Sequence, residues 1–407
     1  MPEPLEISVG PRGGDFLGRD HRVLQAAVEY VAARGGGTVR LLPGTYSMGN
    51  SLFLRSGVRV VGAGEKTVLL KSPSAATRLV DDLDWYGRQV TVRDPSIFAV
   101  GGGILLRGRC PHYERNQCVK RTVIAINGAT LTLDRQPREN FWIDAQAEAA
   151  TLFPVITGEG VRDVVIEDLV IDGNRDNNER LDGNYAGCIF FQDCNQVTVR
   201  GVTAREFNGD GISWQVCDDV RIEDCACLDN ADLGLHPGSG SQRPLIINNT
   251  LIGNSIGLFF CWGVQHGLAR GNTISDSRQY GLSIGHRDTD NLIQDNVIQR
   301  SGVHGVLFRE HPHAGRDPHR NVLEGNLIAD SGLRDECVAI EIKGAPEGLI
   351  LRHNRIADSR RKSVKRNRVG LRINERVPKV TLVDNSYEGL EQDVVDLRLA
   401  HRPRKAR

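Results

Sequence analysis

Residues 234–285 read GLHPGSGSQRPLIINNTLIGNSIGLFFCWGVQHGLARGNTISDSRQYGLSIG. Within this stretch a glycine opens a short apolar segment three times, at Gly234, Gly257 and Gly281. Extended outward, Gly187, Gly211, Gly234, Gly257, Gly281 and Gly305 stand 24, 23, 23, 24 and 24 residues apart, and Ala339 and Gly370 continue at longer intervals that read as insertions at a turn. A second ladder, Asn249, Asn272, Asn296, Asn326, Asn354 and Asn385, runs in phase with the first. The positions after the glycines are Cys188, Ile212, Leu235, Leu258, Leu282, Val306, Ile340 and Leu371. Two residues further on stand Phe190, Trp214, Pro237, Phe260, Ile284, Phe308, Ile342 and Ile373. A period of two is that of a strand, so both columns are expected to face inward.

Further short strands precede the asparagines, at Val164–Ile166, Val197–Val199, Val220–Ile222 and Val380–Val383. Each repeat therefore carries at least two strands and no helix. Coils of this kind stacked at about 4.8 Å make an all-β solenoid, a parallel β-helix. Asparagine suits its turns because it tolerates a left-handed backbone and bonds locally. Leucine-rich repeats share the period and an asparagine, but their LxxLxLxxN signature is absent.

The remaining segments fit around the solenoid. Residues 1–80 read as an N-terminal cap and first coils: Asp20 is an N-cap, Val23, Leu24, Ala27, Val28 and Val31 share one helix face, and Gly35, Gly36 and Gly37 stop the helix. An amphipathic helix there would shield the apolar end of the solenoid. Residues 81–152 lose the period and read as an inserted β module, 153–390 as the coils that carry the site, and 391–407 as a basic tail. Residues 352–379 hold eleven Lys or Arg, which on coil surfaces argues for solvated charge over a nucleic-acid partner.

Composition narrows the class. The chain has 407 residues, 40% of them hydrophobic, and 51 basic against 51 acidic residues. That excludes a disordered chain and a polyanion binder held by bulk charge, and no run approaches the roughly 18 apolar residues of a membrane span. The start, Met1–Gly10, has no basic and apolar leader pattern, so a cytoplasmic location is the expectation. Nine cysteines are too few for a disulfide-stapled domain, and Cys194 and Cys217 are expected to stack inside as small hydrophobes.

Gly44-Thr45-Tyr46 after the capping helix, Gly281-Leu282-Ser283-Ile284-Gly285 and the coil repeat together resemble the pectate-lyase-like right-handed parallel β-helix superfamily. Parts resemble its polygalacturonase family. Asn208-Gly209-Asp210-Gly211 matches that family's first catalytic strand, and Asp232-Leu233-Gly234 keeps the first aspartate of its pair but has Leu233 where the general acid would stand. Gly281–Gly285 matches its third strand with Tyr280 for histidine, and Glu341-Ile342-Lys343 its fourth with glutamate for arginine. The resemblance implies the fold directly. It implies a carbohydrate substrate, while hydrolases, lyases, epimerases and adhesins share this shape.

The residues between the inward columns should form a polar outward column. Coil by coil these are Asp210 and Gln215; Asp232 and His236; Phe259 and Trp262; Ser283, His286, Arg287 and Asp288; Arg309 and Glu310; Glu341 and Lys343. A solvated face with cross-strand ion pairs would look similar residue by residue, but two histidines and several carboxylates converging on one sheet point to chemistry. Glycosidic hydrolysis needs two carboxylates about 5–10 Å apart, which neighbouring coils supply. Asp210 with Asp232 is the favoured pair, with Asp288 or Glu310 in place of the missing acid and His236 or His286 as proton shuttle. Gln215, Trp262, Arg287, Arg309, Glu341 and Lys343 would bind substrate.

A lyase or epimerase would use the same face differently. Arg287, Arg309 or Lys343 would neutralise a uronate carboxylate while His236, His286 or an arginine takes the α-proton. No cofactor is required, although the lyase reading leaves room for a divalent cation such as calcium. His311, His313 and His319 are weak metal candidates in a loop rich in Pro and Gly. A third reading is a non-catalytic glycan-binding β-helix, a form compatible with a homotrimer.

Overall fold

The computed structural model describes residues 5–110, 115–313, 315–332, 337–360 and 368–399. Part of the basic stretch (361–367) and the tail from 400 onward lie outside the described residues. Three parallel sheets of thirteen, eleven and eleven strands run along the molecule, and each full coil adds one strand to each. One coil is Asn195–Arg200, Thr203–Arg205 and Ile212–Gln215, and the next begins at Asp218–Glu223. The strands are short because each must turn to reach the next sheet. The sheets are parallel because every coil winds the same way.

The third sheet, from Leu52–Phe53 to Gln392–Asp396, carries the glycine-led strands. Its register puts Ile189, Ile212, Leu235, Leu258, Leu282, Val306, Ile340 and Leu371 in one column, all fully buried. The frame counted from Gly187 is one residue out in the first of these coils. Ile189 and Phe191, not Cys188 and Phe190, pair with Ile212 and Trp214. Phe190 pairs with Ser213 and faces outward, and its ring is covered by the Lys120 ammonium at 4.0 Å from the centroid.

The glycines recur because successive coils approach closely there. A Cβ on Gly234 would lie 2.6 Å from the Gly257 carbonyl oxygen. The asparagines have a different role from the expected one. They point inward and form a ladder: Asn272 Oδ1 accepts from the Asn249 backbone N–H and side-chain amide, both at 2.9 Å, and Asn272 passes the same pair of bonds to Asn296 at 2.9 and 2.8 Å. The left-handed backbone belongs to the residue before each, among them Asn248, Gly271, Asp295 and Gly325. Each ladder asparagine also donates to a buried backbone carbonyl, Asn272 to Ile246 at 2.9 Å. The turn thus satisfies groups that would otherwise be orphaned inside. Cys194 and Cys217 are buried one above the other, with the Cys194 N–H 3.4 Å from the Cys217 sulfur.

Helix α1 (His21–Ala33) closes the end. Asp20 caps it by accepting from the Arg22 and Val23 N–H groups, and Leu24, Ala27, Val28 and Val31 bury its apolar face. The inserted module is a six-stranded antiparallel sheet with its own apolar core. Its first strand, Ala76–Arg78, pairs with Glu148–Ala150, so the module begins before residue 81. At the other end Gln392–Asp396 pairs with the strand Arg368–Ile373, which carries the solenoid beyond residue 390.

Replacing Asn272 by alanine removes bonds to Asn249, Ile246 and Asn296 at once. A loss of about 1–3 kcal/mol for each orphaned buried group predicts a clearly lowered urea or thermal unfolding midpoint for Asn272→Ala.

Candidate active site

The outward column of the third sheet, fixed by register, is Phe190, Ser213, His236, Phe259, Ser283, Leu307, Glu341 and Arg372. It is less acidic than the sequence suggests. Asp210 and Asp288 do not stand on this face: they lie in the turns beside it, exposed by 1% and 0%. Asp288 accepts from the Gly263, Val264 and Gly285 N–H groups at 2.8–3.0 Å, which shapes two turns. Burial lifts its carboxyl pKa to about 6 against the pull of Arg309 and those N–H donors.

Asp210 is buried because a loop crosses it. A Cβ on Gly183 would lie 1.7 Å from Asp210 Oδ2, so only glycine lets the segment pass. Ser213 Oγ donates to the Gly183 carbonyl at 2.6 Å and holds that loop down. Asp210 Oδ1 accepts from the Leu233 N–H at 3.0 Å, while Oδ2 meets His236 Nδ1 at 2.8 Å. This is an orienting contact: a buried carboxylate fixes the ring and its proton. Burial opposes charge on His236, but the Asp210 bond and the neighbouring Cys261 outweigh it and raise the imidazole pKa to about 9. Burial likewise raises the Asp210 carboxyl above its usual range, with the His236 bond acting against it.

The other proposed acids are already paired. Asp232 takes a two-pronged bond from Arg180, both arms at 2.9 Å. Glu310 pairs with Arg376, and buried Glu341 pairs with Arg372 at 2.6 Å and with Asn374. The expected catalytic pair Asp210 and Asp232 is therefore one orienting carboxylate and one ion-paired carboxylate.

Cations and aromatic rings complete the face. Arg309 bonds Ser283 Oγ and the Phe260 carbonyl, both at 2.6 Å, stands 3.5 Å from Asp288 and covers the Phe259 ring. Phe259 in turn sets its ring against His236, 5.6 Å between centroids. Trp262 is 56% exposed and stacks on His286 at 4.6 Å, whose other neighbour is His311. Burial, His311 and Arg287 lower the His286 pKa. Arg287 is exposed beside them, and Lys343 is half-buried further along. Gln215 lies against Gly238, where a Cβ would come within 2.2 Å of its amide.

His311 Nδ1 accepts from the His313 backbone N–H at 3.0 Å, and His319 Nδ1 accepts from the Glu347 N–H at 3.0 Å. Among the described residues no group of three His, Cys, Asp or Glu is arranged to hold a metal ion.

Sequence reading missed Arg180, Ser213 and Cys261. Cys261 is two residues beyond Phe259 on the same face, a position the period of two makes legible. Nothing in the sequence signals that residues 180–185 fold over Asp210. Between that loop and the inserted module lies a cavity of about 460 Å³ lined by Arg107, Arg180, Asp182 and Tyr185.

A family profile described as "right handed beta helix region" matches residues 156–266 and 187–356. The mannuronan C-5 epimerase AlgE4 A-module of Azotobacter vinelandii superposes with a TM-score of 0.59 at 16% identity, covering 95% of this chain and 97% of that one. An exopolygalacturonase from Thermotoga maritima gives a TM-score of 0.57 at 13% identity, covering 97% and 93%. No curated protein sequence matches the chain significantly. The chain has the right-handed parallel β-helix fold. At these identities the structural likeness is one of fold.

With Asp210→Asn the hydrogen-bond partner that holds the proton on His236 is lost, so the imidazole pKa falls from about 9. An NMR titration of the His236 ring in both proteins checks the direction.

Proposed function

We propose that this protein is a carbohydrate-active enzyme that binds an acidic poly- or oligosaccharide along its third sheet and moves a proton on a uronate ring. The observation that carries this reading is the Asp210–His236 contact of 2.8 Å, a buried carboxylate that orients an imidazole on the outward face of the third sheet, itself largely buried. The carboxylates that hydrolysis would call on are bonded to arginines or turn N–H groups, whereas the face presents the Asp210-oriented imidazole of His236, the exposed Arg287 and Arg309, which is held by Ser283, the Phe260 carbonyl and Asp288. Proton abstraction α to a carboxylate needs that set: a base, and cations that stabilise the charge developing on the carboxylate.

In this mechanism neutral His236 takes the α-proton, with Asp210 stabilising the imidazolium that forms. Arg287 and Arg309 lower the cost of the enolate-like intermediate. Collapse that expels the neighbouring glycosidic oxygen, which leaves as an alcohol with a proton from His236 or water, gives a lyase product, and protonation of the intermediate by water from the opposite face gives an epimer. Trp262, exposed at the edge, offers a flat apolar surface for a sugar ring. The names of the two structural neighbours, a mannuronan epimerase and an exopolygalacturonase, support a uronate polymer as the substrate class.

A panel of neutral and uronate glycans tests this. Unsaturated uronate absorbance with new reducing ends marks a lyase, and a changed proton NMR spectrum of the polymer without new ends marks an epimerase. Reducing ends without unsaturation mark hydrolysis and return the assignment to Asp232. Binding without turnover marks a glycan-binding protein. His236→Ala is expected to lower turnover by about 10²–10⁴-fold while glycan binding persists.

Because the base form of His236 is the deprotonated one, kcat/KM is expected to rise with pH and level off above about 9. In Asp210→Asn the rise shifts to lower pH and the plateau falls. A pH profile on the turned-over glycan measures both.

A further inference from the structure

Cys261 is partly exposed on the outward face, two residues beyond Phe259. Its N–H bonds the Pro237 carbonyl at 3.0 Å, which ties it to the strand that carries His236. The Cys261 thiol is among the groups that raise the His236 pKa, which puts it in the electrostatic neighbourhood of the ring. On His236, Nδ1 is taken by Asp210, and Nε2 is buried without a hydrogen-bond partner. A buried imidazole nitrogen left unpaired is costly, and the thiol is the reactive group beside this ring. Asp210, His236 and Cys261 therefore stand in the order orienting carboxylate, base and nucleophile.

A second buried group points to a ligand. The Gln215 Nε2 amide is also without a partner. It occupies the space left by the missing side chain of Gly238, the residue after Pro237. An unpaired amide donor over Gly238, one residue beyond the carbonyl that Cys261 N–H bonds, is a donor an acyl oxygen could use as it gains negative charge.

We propose that Cys261 is a nucleophile toward acyl esters, with His236 as its base, Asp210 as the residue that orients His236, and Gln215 as a donor to the acyl oxygen. The natural substrate class would be an ester-substituted glycan, a second activity on the same face. It rests on the dyad described above but needs no glycan turnover to be tested. The sulfur attacks the carbonyl carbon as its proton passes to His236. The tetrahedral intermediate collapses, and the alcohol leaves with that proton. Water activated by the same imidazole then cleaves the thioester, which releases the carboxylic acid and restores the thiol.

The test uses p-nitrophenyl acetate with the intact protein, following nitrophenol release and mapping the acetyl group by mass spectrometry. The expected result is acetylation at Cys261, abolished in Cys261→Ser and slowed about a hundredfold in Asp210→Asn or His236→Gln. Acetylation at other residues, or at Cys261 at a rate unchanged by either substitution, would overturn the proposal.

A measurement on the unaltered protein guards against variants that fail to fold. Under native conditions iodoacetamide is expected to label Cys261 at least about tenfold faster than Cys118, a partly exposed thiol whose pKa burial raises to about 12. Equal labelling of the two would also overturn it. Glycan turnover that persists while acetylation fails would remove this proposal and leave the proton-transfer reading standing.

Discussion

Every coil of this protein lies one strand spacing from the next, about 4.8 Å, and that single distance dictates most of its sequence. At such a separation a side chain has its own counterpart directly above and below it. Apolar residues stack into continuous columns, Ile on Leu on Leu, and polar residues survive inside only when the stack itself satisfies them. The asparagine ladder does this. Each amide accepts from the coil before and donates to the coil after, so interior turns keep their hydrogen bonds without water. The glycine ladder answers the same constraint from the other side, since backbone from the next coil fills the space a Cβ would need.

The same stacking builds the site. Residues far apart in sequence become neighbours only when they are offset by about one coil: Asp210 and His236 are 26 apart, and His236 and Cys261 are 25 apart. A rigid sheet sets them at fixed spacing, and the loop around Gly183 seals Asp210 from water. Sealing changes the role of the aspartate. A carboxylate on an open strand would titrate freely and touch substrate, whereas one beneath a loop, bonded to an imidazole, acts through that imidazole.

The reading of the outward column shows where pattern fails. Alternation placed Gln215, His236, Phe259, Ser283 and Glu341 on the outward face, as the structure does. It also enrolled Asp210 and Asp288, which sit at strand ends where the chain is turning and a period of two no longer assigns a face. Phe190 slipped by one residue for a related reason. The first glycine of the series, Gly187, stands outside the frame of the others, and register is set by pairing, not by counting from a marker.

The sequence by itself determined the solenoid, its period, the capping helix and the presence of an inserted module, because each depends on local periodicity or on a repeat that can be counted. Only the tertiary structure decided which carboxylates are exposed, which are bonded to arginine, and that a buried aspartate orients the His236 imidazole. Those facts depend on loops such as 180–185, whose path over the sheet has no repeat to announce it, and on burial, which a side chain acquires only from whatever lies above it.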